Sequence, residues 1–132
     1  MANSLYTLGR AAFANAGVNW LTDTIKVGLV SNGYTPNLAT HQFLSDLGAN
    51  VLNTPAVLAT KTNVGGLVSA ANVTFTAVAT ATIPYIALWK DTGVAGTSQL
   101  IGLIDTATGL PATANGTNIT ITWDGVNGIF KL

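Results

Sequence analysis

Cysteine and glutamate are absent from this 132-residue chain, and arginine and histidine occur once each, as Arg10 and His41. Each absence excludes something. Without cysteine there is no disulfide framework and no thiolate chemistry, and the redox compartment is left open. One histidine and no cysteine rule out the usual zinc ligand sets, and the five aspartates are spaced too widely for an EF-hand-type loop. A calcium site built from loop carbonyls and one Asp has no signal in the sequence. The carboxylate pair of a glycoside hydrolase would have to come from scattered aspartates alone. There is no Walker-type or dinucleotide-binding glycine loop. No cofactor and no metal are expected.

Charge is scarce as well. Five cations (Arg10, Lys26, Lys61, Lys90, Lys131) balance five anions (Asp23, Asp46, Asp91, Asp105, Asp124), and charged residues make up 8% of the chain. Five scattered cations cannot form the dense basic patch that phosphate backbones require, so no nucleic-acid partner is expected. A free monomer this poor in charge would have weak colloidal stability, which points to a surface covered by other protein copies. Long apolar runs are missing too. The 28 residues between Lys61 and Lys90 carry no charge, but Asn63, Asn72, Gly65-Gly66, Pro84 and several threonines interrupt them. No membrane span of about 20 apolar residues is expected. The opening MANSLYTLGR lacks the basic-then-apolar pattern of a secretory leader. The Asn-X-Thr triplets at Asn72, Asn115 and Asn118 are expected by chance in a chain so rich in Asn and Thr.

What is there is small and β-prone. Ala, Thr, Gly and Asn fill 65 of the 132 positions. Such a length suits a single domain, 1–132, burying roughly two thirds of its unfolded surface. Residues 3–16 predict a helix capped by Asn3 or Ser4, with Leu5, Leu8, Ala12 and Phe13 on one stripe and Gly17 as its stop. TIKVGLV (24–30) alternates as a strand and ends at Asn32-Gly33. Thr40 could cap a short helix carrying His41, Phe43, Leu44 and Leu47, closed by Gly48. Strands are then predicted at 57–62, at LVS (67–69), and at NVTFTAV (72–78), with Val73 and Phe75 opposite Thr74 and Thr76. IPYIALWK (83–90) and QLIGLID (99–105) are apolar on both faces, as central strands or strands meeting a partner would be. A long connection at 106–117 leads to NITITW (118–123), turns at Asp124-Gly125 and Asn127-Gly128, and GIFKL. The expected fold is mainly β: a small sandwich or barrel-like domain of about seven strands with an N-terminal helix packed on it.

Three features invite a chemical reading. Asp91-Thr92-Gly93 has the letters of an aspartic-protease site, in which two carboxylates from symmetry mates share a proton. Lys90 precedes it where a small or apolar residue is wanted, and the apolar-apolar-Gly segment at 100–102 follows too soon, as the next strand. Asp91 therefore reads as a turn residue. His41 could be combined on paper with a serine and an aspartate, but no nucleophile-elbow context surrounds any serine, and beside Phe43 and Leu44 it reads as a packing residue. The aromatics Trp20, Trp89, Trp123, Tyr6, Tyr34 and Tyr85 could line a glycan surface, but they read more simply as core pillars. No catalytic constellation is expected, and the reading turns from enzyme to assembly.

The order of segments carries a likeness. It runs through NSLYTLGRAAFANAGVNWLTDTIKVGLV, YTPNLATHQFLSDL and NVTFTAV, then from LWKDTGVAGTSQLIG to the end. Nearly the whole chain resembles a family of small virion structural proteins of tailed bacteriophages. The most specific parts are NWLTDTIKV (19–27), the KDTG…LI…IDTATGLP stretch and the closing TWD…GIFKL. This chain is richer in Ala and Thr, and less acidic, than that pattern, notably around 63–82. The resemblance implies a virion protein assembled in the bacterial host cytoplasm, decorating or cementing the capsid shell. It also implies a major capsid protein lattice as partner, and no catalytic residues. A homo-oligomer is expected, a trimer at quasi-threefold positions being favoured. A tail- or neck-associated structural or glycan-binding module is the main alternative, and a dimeric aspartic protease using Asp91 a further one. Segment 31–56, which interrupts the strand pattern with Tyr34, His41 and Phe43, is the expected partner-contacting excursion.

Overall fold

The computed structural model describes residues 4–132, so the Asn3 cap lies outside the described residues. In chain order the elements are β1 (Ser4–Leu5), α1 (Thr7–Ala14), β2 (Ile25–Val30), a short 3-10 helix (Leu44–Asn50), β3 (Val51–Val57), β4 (Thr62–Val64), β5 (Leu67–Ser69) and β6 (Val73–Phe75). They continue with β7 (Ala81–Ile83), β8 (Tyr85–Lys90), β9 (Leu100–Ile104), β10 (Ala112–Ala114), β11 (Ile119–Ile121) and β12 (Phe130–Lys131). The domain is mainly β with one N-terminal helix, as the sequence predicts, though its strands are more numerous and shorter.

A five-stranded antiparallel sheet in the order β1-β9-β8-β2-β3 forms the centre. Three smaller ladders, β12-β5-β4, β11-β6 and β10-β7, share a core with one of its faces. Ile25, Val27 and Leu29 of β2 and Ile86 and Leu88 of β8 meet Val68, Phe75, Ile83 and Ile121 of the small ladders there. Period-two alternation sends the intervening Ala87 and Trp89 to the opposite face, where Tyr6, Tyr34 and Leu47 form a second core with Leu100 and Leu103. One extra residue in β9 accommodates both. Leu88 pairs with Gly102 but Trp89 pairs with Leu100, so Ile101 is bulged, and the strand serves both cores. The two-faced apolarity of Tyr85–Lys90 and Leu100–Ile104 thus belongs to central strands covered on both sides by their own chain, while Ile83, expected in the same strand, ends β7 and pairs with Ala112 of β10.

Other expectations need correction. The helix begins at Thr7, not at residue 3, because Ser4 and Leu5 pair with Leu103 and Gly102 at the sheet edge. Gly9 is why α1 can lie against β9: a Cβ there would stand 2.4 Å from the Leu100 carbonyl oxygen. At its far end Gly17 donates to Ala12 O (2.7 Å) and Ala16 to Phe13 O (3.2 Å), closing a Schellman motif. The left-handed position falls on Ala16 (φ 61°), not on the glycine.

The strand predicted at 57–62 lies earlier, at Val51–Val57. Asn53 (φ 60°) and Pro55 occupy an irregularity of this edge strand, where the register jumps between Val27↔Ala56 and Leu29↔Leu52. Residues 106–117, predicted as connection, contribute β10. The short helix predicted from Thr40 is a 3-10 helix starting at Leu44, with His41 outside it.

Candidate functional site

Segment 31–50 crosses the second face of the sheet as a strap. It is tied at both ends and along its length. Ser31 donates through its backbone to Asn50 O (2.9 Å), Thr7 N–H to Leu38 O (2.8 Å), Leu44 N–H to Ser98 O (2.9 Å) and Leu100 N–H to Gln42 O (2.8 Å). Asp46 turns the strap into its 3-10 helix: Oδ2 accepts from the backbone N–H groups of Gln42 (2.8 Å) and Phe43 (2.9 Å). Those bonds, the Phe43 donor first, hold its carboxyl below the usual aspartate range, with a smaller contribution from the His41 charge.

Beneath the strap runs a chain of side-chain hydrogen bonds. The hydroxyls of Tyr6 and Tyr34 lie 2.8 Å apart, and the Tyr34 hydroxyl lies 2.6 Å from His41 Nδ1. Burial raises both phenol pKa values, and the Tyr34 hydrogen bond raises that of Tyr6 further. Here one expectation is corrected. Tyr34 is 5% exposed and belongs to the second core, so its side chain does not face outward. Burying the ring satisfies the apolar strap, and the two polar partners satisfy its hydroxyl. His41 and Phe43 are half-buried; Phe43 forms a bridge with Gln99.

Asp91 stands at the opposite end of β8. Its Oδ2 pairs with Lys26 Nζ at 3.1 Å, and its backbone N–H donates to Thr24 O at 2.8 Å. Next to it Lys90 Nζ pairs with Asp23 Oδ2 (3.3 Å) and donates to Gly17 O (2.9 Å), and Lys61 Nζ donates to the Asp23 carbonyl. Five of the chain's ten formal charges therefore gather in one clasp that fastens the loop after α1 to the sheet. The following loop is organised by buried Ser98, whose hydroxyl accepts from Thr92 N–H (3.1 Å) and donates to Val94 O (2.9 Å). Alternation places Lys26 on the face opposite Ile25 and Val27, at the rim of the second core, but only the β2–β8 register, Ile25↔Lys90, brings it beside Asp91. That pairing was not legible from either segment alone.

Trp20, Trp89 and Trp123 are all buried, and Trp20 and Trp123 donate to the carbonyls of Ser69 (3.3 Å) and Ala71 (3.0 Å). They are core pillars and present no open face to a glycan. A depression of about 430 Å³ lies between Ile104, Thr108, Trp123, Asp124, Asn127 and Phe130. Asp124 is turned back on its own loop, accepting from Val126 N–H (2.7 Å) and from Asn127 N–H (3.0 Å) and Nδ2 (3.0 Å). These bonds, those of Asn127 foremost, lower its pKa. Among the described residues no three His, Asp, Glu or Cys side chains converge, and no helix is long and apolar enough to cross a membrane. No protein-family model matches the chain, and a search of curated proteins returns no match.

Proposed function

We propose that this chain is a structural subunit of a tailed-bacteriophage virion, decorating or cementing the head shell through contacts with the major capsid protein lattice and with copies of itself, a trimer being favoured. The observation that carries this reading is the distribution of charge. With five of ten charges drawn into the Asp23–Lys26–Lys61–Lys90–Asp91 clasp, long stretches of surface present uncharged Thr, Asn, Ala and Val side chains. Val57 and Val64 stand out on the 57–64 margin, Val64 at 76% exposure on a strand whose three residues are all exposed. Such a surface suits burial against neutral protein neighbours better than a long life in solvent. This margin is the contact surface the reading favours, and half-buried His41 and Phe43 of the strap, which sits toward β9 at the other side of the sheet, are a separate candidate patch.

The protease alternative requires two Asp91 carboxylates facing one another, and pairing each with its own Lys26 works against that. The glycan-binding alternative requires open aromatic faces, and the three indoles are buried. The test is imaging of intact particles carrying a labelled copy of this chain. Copies arrayed on the head shell are expected. Copies confined to the tail or neck, or absent from particles, overturn the shell assignment.

A further inference from the structure

The sequence has three Asn-Gly pairs, Asn32-Gly33, Asn115-Gly116 and Asn127-Gly128. We propose that Asn32 is a site of spontaneous deamidation, and that the fold opens this pair to the reaction while closing the other two. The reaction needs nothing but water. The backbone nitrogen of the following glycine loses its proton and attacks the asparagine Cγ. A new C–N bond closes a five-membered succinimide, the Cγ–Nδ2 bond breaks and ammonia leaves. Water then opens the ring at either carbonyl, giving aspartate or isoaspartate. Glycine favours the attack because no Cβ hinders the approaching nitrogen.

The attacking nitrogen must be free and the asparagine side chain must be able to swing. At Asn32-Gly33 both hold. Both residues are exposed, and among the described residues neither the Gly33 N–H nor the Asn32 carboxamide has a hydrogen-bond partner. Their neighbours are held instead: Asn32 N–H donates to Thr82 O and Tyr34 N–H to Ser31 O, each at 3.2 Å. At Asn115 the Gly116 N–H donates to Val78 O (2.7 Å), and the carboxamide oxygen accepts from Thr117 Oγ1 (2.8 Å). At Asn127 the Gly128 N–H donates to Asp124 O (2.9 Å), and Nδ2 donates to Asp124 Oδ2 (3.0 Å). Both of these sites must open locally before they can react.

The product matters because of where it forms. A chain of zero formal charge acquires a net negative charge, at the anchor of the strap. Gly33 lies against the Asn50 side chain: a Cβ there would be 2.6 Å from Asn50 Oδ1. That oxygen accepts from Ser31 Oγ (2.9 Å), while Asn50 Nδ2 donates to Leu47 O (3.1 Å). A carboxylate on the residue preceding Gly33, or the longer isoaspartyl backbone running into it, is expected to weaken the anchor with age.

The test is a time course of the folded full chain at mildly alkaline pH, followed by peptide mapping by mass spectrometry and isoaspartyl-specific methylation. The Asn32 peptide is expected to convert at least about tenfold faster than the Asn115 and Asn127 peptides. Asn32→Gln is expected to abolish the fast phase. The same chain in denaturant is expected to react at all three sites. Comparable rates at Asn115 or Asn127 in the folded chain, an inert Asn32, or the same selectivity in denaturant would each overturn the proposal.

Discussion

Trp89 lies directly over Gly28: a Cβ built on the glycine would come within 2.7 Å of the indole Cη2 and 3.0 Å of Val51 Cγ1. The indole is 1% exposed and hemmed in by the second core, so it cannot step aside. Gly28→Ala is therefore expected to destabilise by about 1–3 kcal/mol, the usual cost of overpacking a filled core. Chemical denaturation would show it as a lower midpoint at unchanged slope. A neutral result would mean that strap and indole can shift together.

The end of α1 makes the opposite prediction. Ala16 holds the left-handed position of the Schellman motif at φ 61°, a conformation that costs a residue with a Cβ about 1 kcal/mol or more. Ala16 is exposed, so its methyl group contributes little packing. Ala16→Gly is expected to raise stability by up to about 1 kcal/mol, read as a higher Tm. An unchanged or lower Tm would show that the helix end relaxes at no cost.

Ala16 also shows where sequence reasoning reached its limit. Helix end, strand and core signals set by local periodicity are readable: Val73 and Phe75 do face the core opposite Thr74, and Tyr85–Lys90 and Leu100–Ile104, within the expected 83–90 and 99–105, are central strands. Signals settled by tertiary contact are not. Gly17 carries the stop signal while Ala16 adopts the strained conformation, and the strand expected at 57–62 lies at Val51–Val57, where pairing with β2 tolerates an irregular edge. Tyr34 looked like an outward aromatic in an irregular segment, because nothing local announces that Tyr6, 28 positions away, supplies its hydroxyl partner.

That partnership predicts a non-additive pair. Tyr34→Phe would leave the Tyr6 hydroxyl buried without its partner, at a cost of about 1–3 kcal/mol. Removing the Tyr6 hydroxyl as well takes away the orphan. The double variant Tyr6→Phe with Tyr34→Phe is expected to be less destabilised than the two single costs summed, with a coupling of about 0.5 kcal/mol or more in a double-mutant cycle. Simple additivity would indicate that the two hydroxyls do not depend on one another.

Asp46 gives the strap a dependence on pH. Its pKa is lowered in the folded chain by the Phe43 and Gln42 donors, so its contribution is present above the ordinary value of 3.8 and is lost as pH falls through the folded value. Hydrogen exchange of the Gln42 and Phe43 amides is expected to quicken as pH drops below 3.8, beyond the intrinsic change. Asp46→Asn keeps an acceptor without the charge, and is expected to flatten that dependence. Equal profiles in both proteins would assign the strap's acid response elsewhere.

Asp91 has a carboxylate that the fold already uses. Its partner Lys26 and the neighbouring Lys90–Asp23 pair are partly exposed, and such pairs contribute only about 0–1 kcal/mol each. Asp91→Asn is expected to lower stability by less than about 1 kcal/mol at low salt, and by less still at high ionic strength, where screening has already weakened the parent pair. On the assembly reading the variant should still be incorporated into particles, because the loop is also held by the Ser98 hydroxyl and by the Asp91–Thr24 backbone bond. A large effect on stability or incorporation would mean that the clasp, and not the neutral surface around it, governs how this subunit is used.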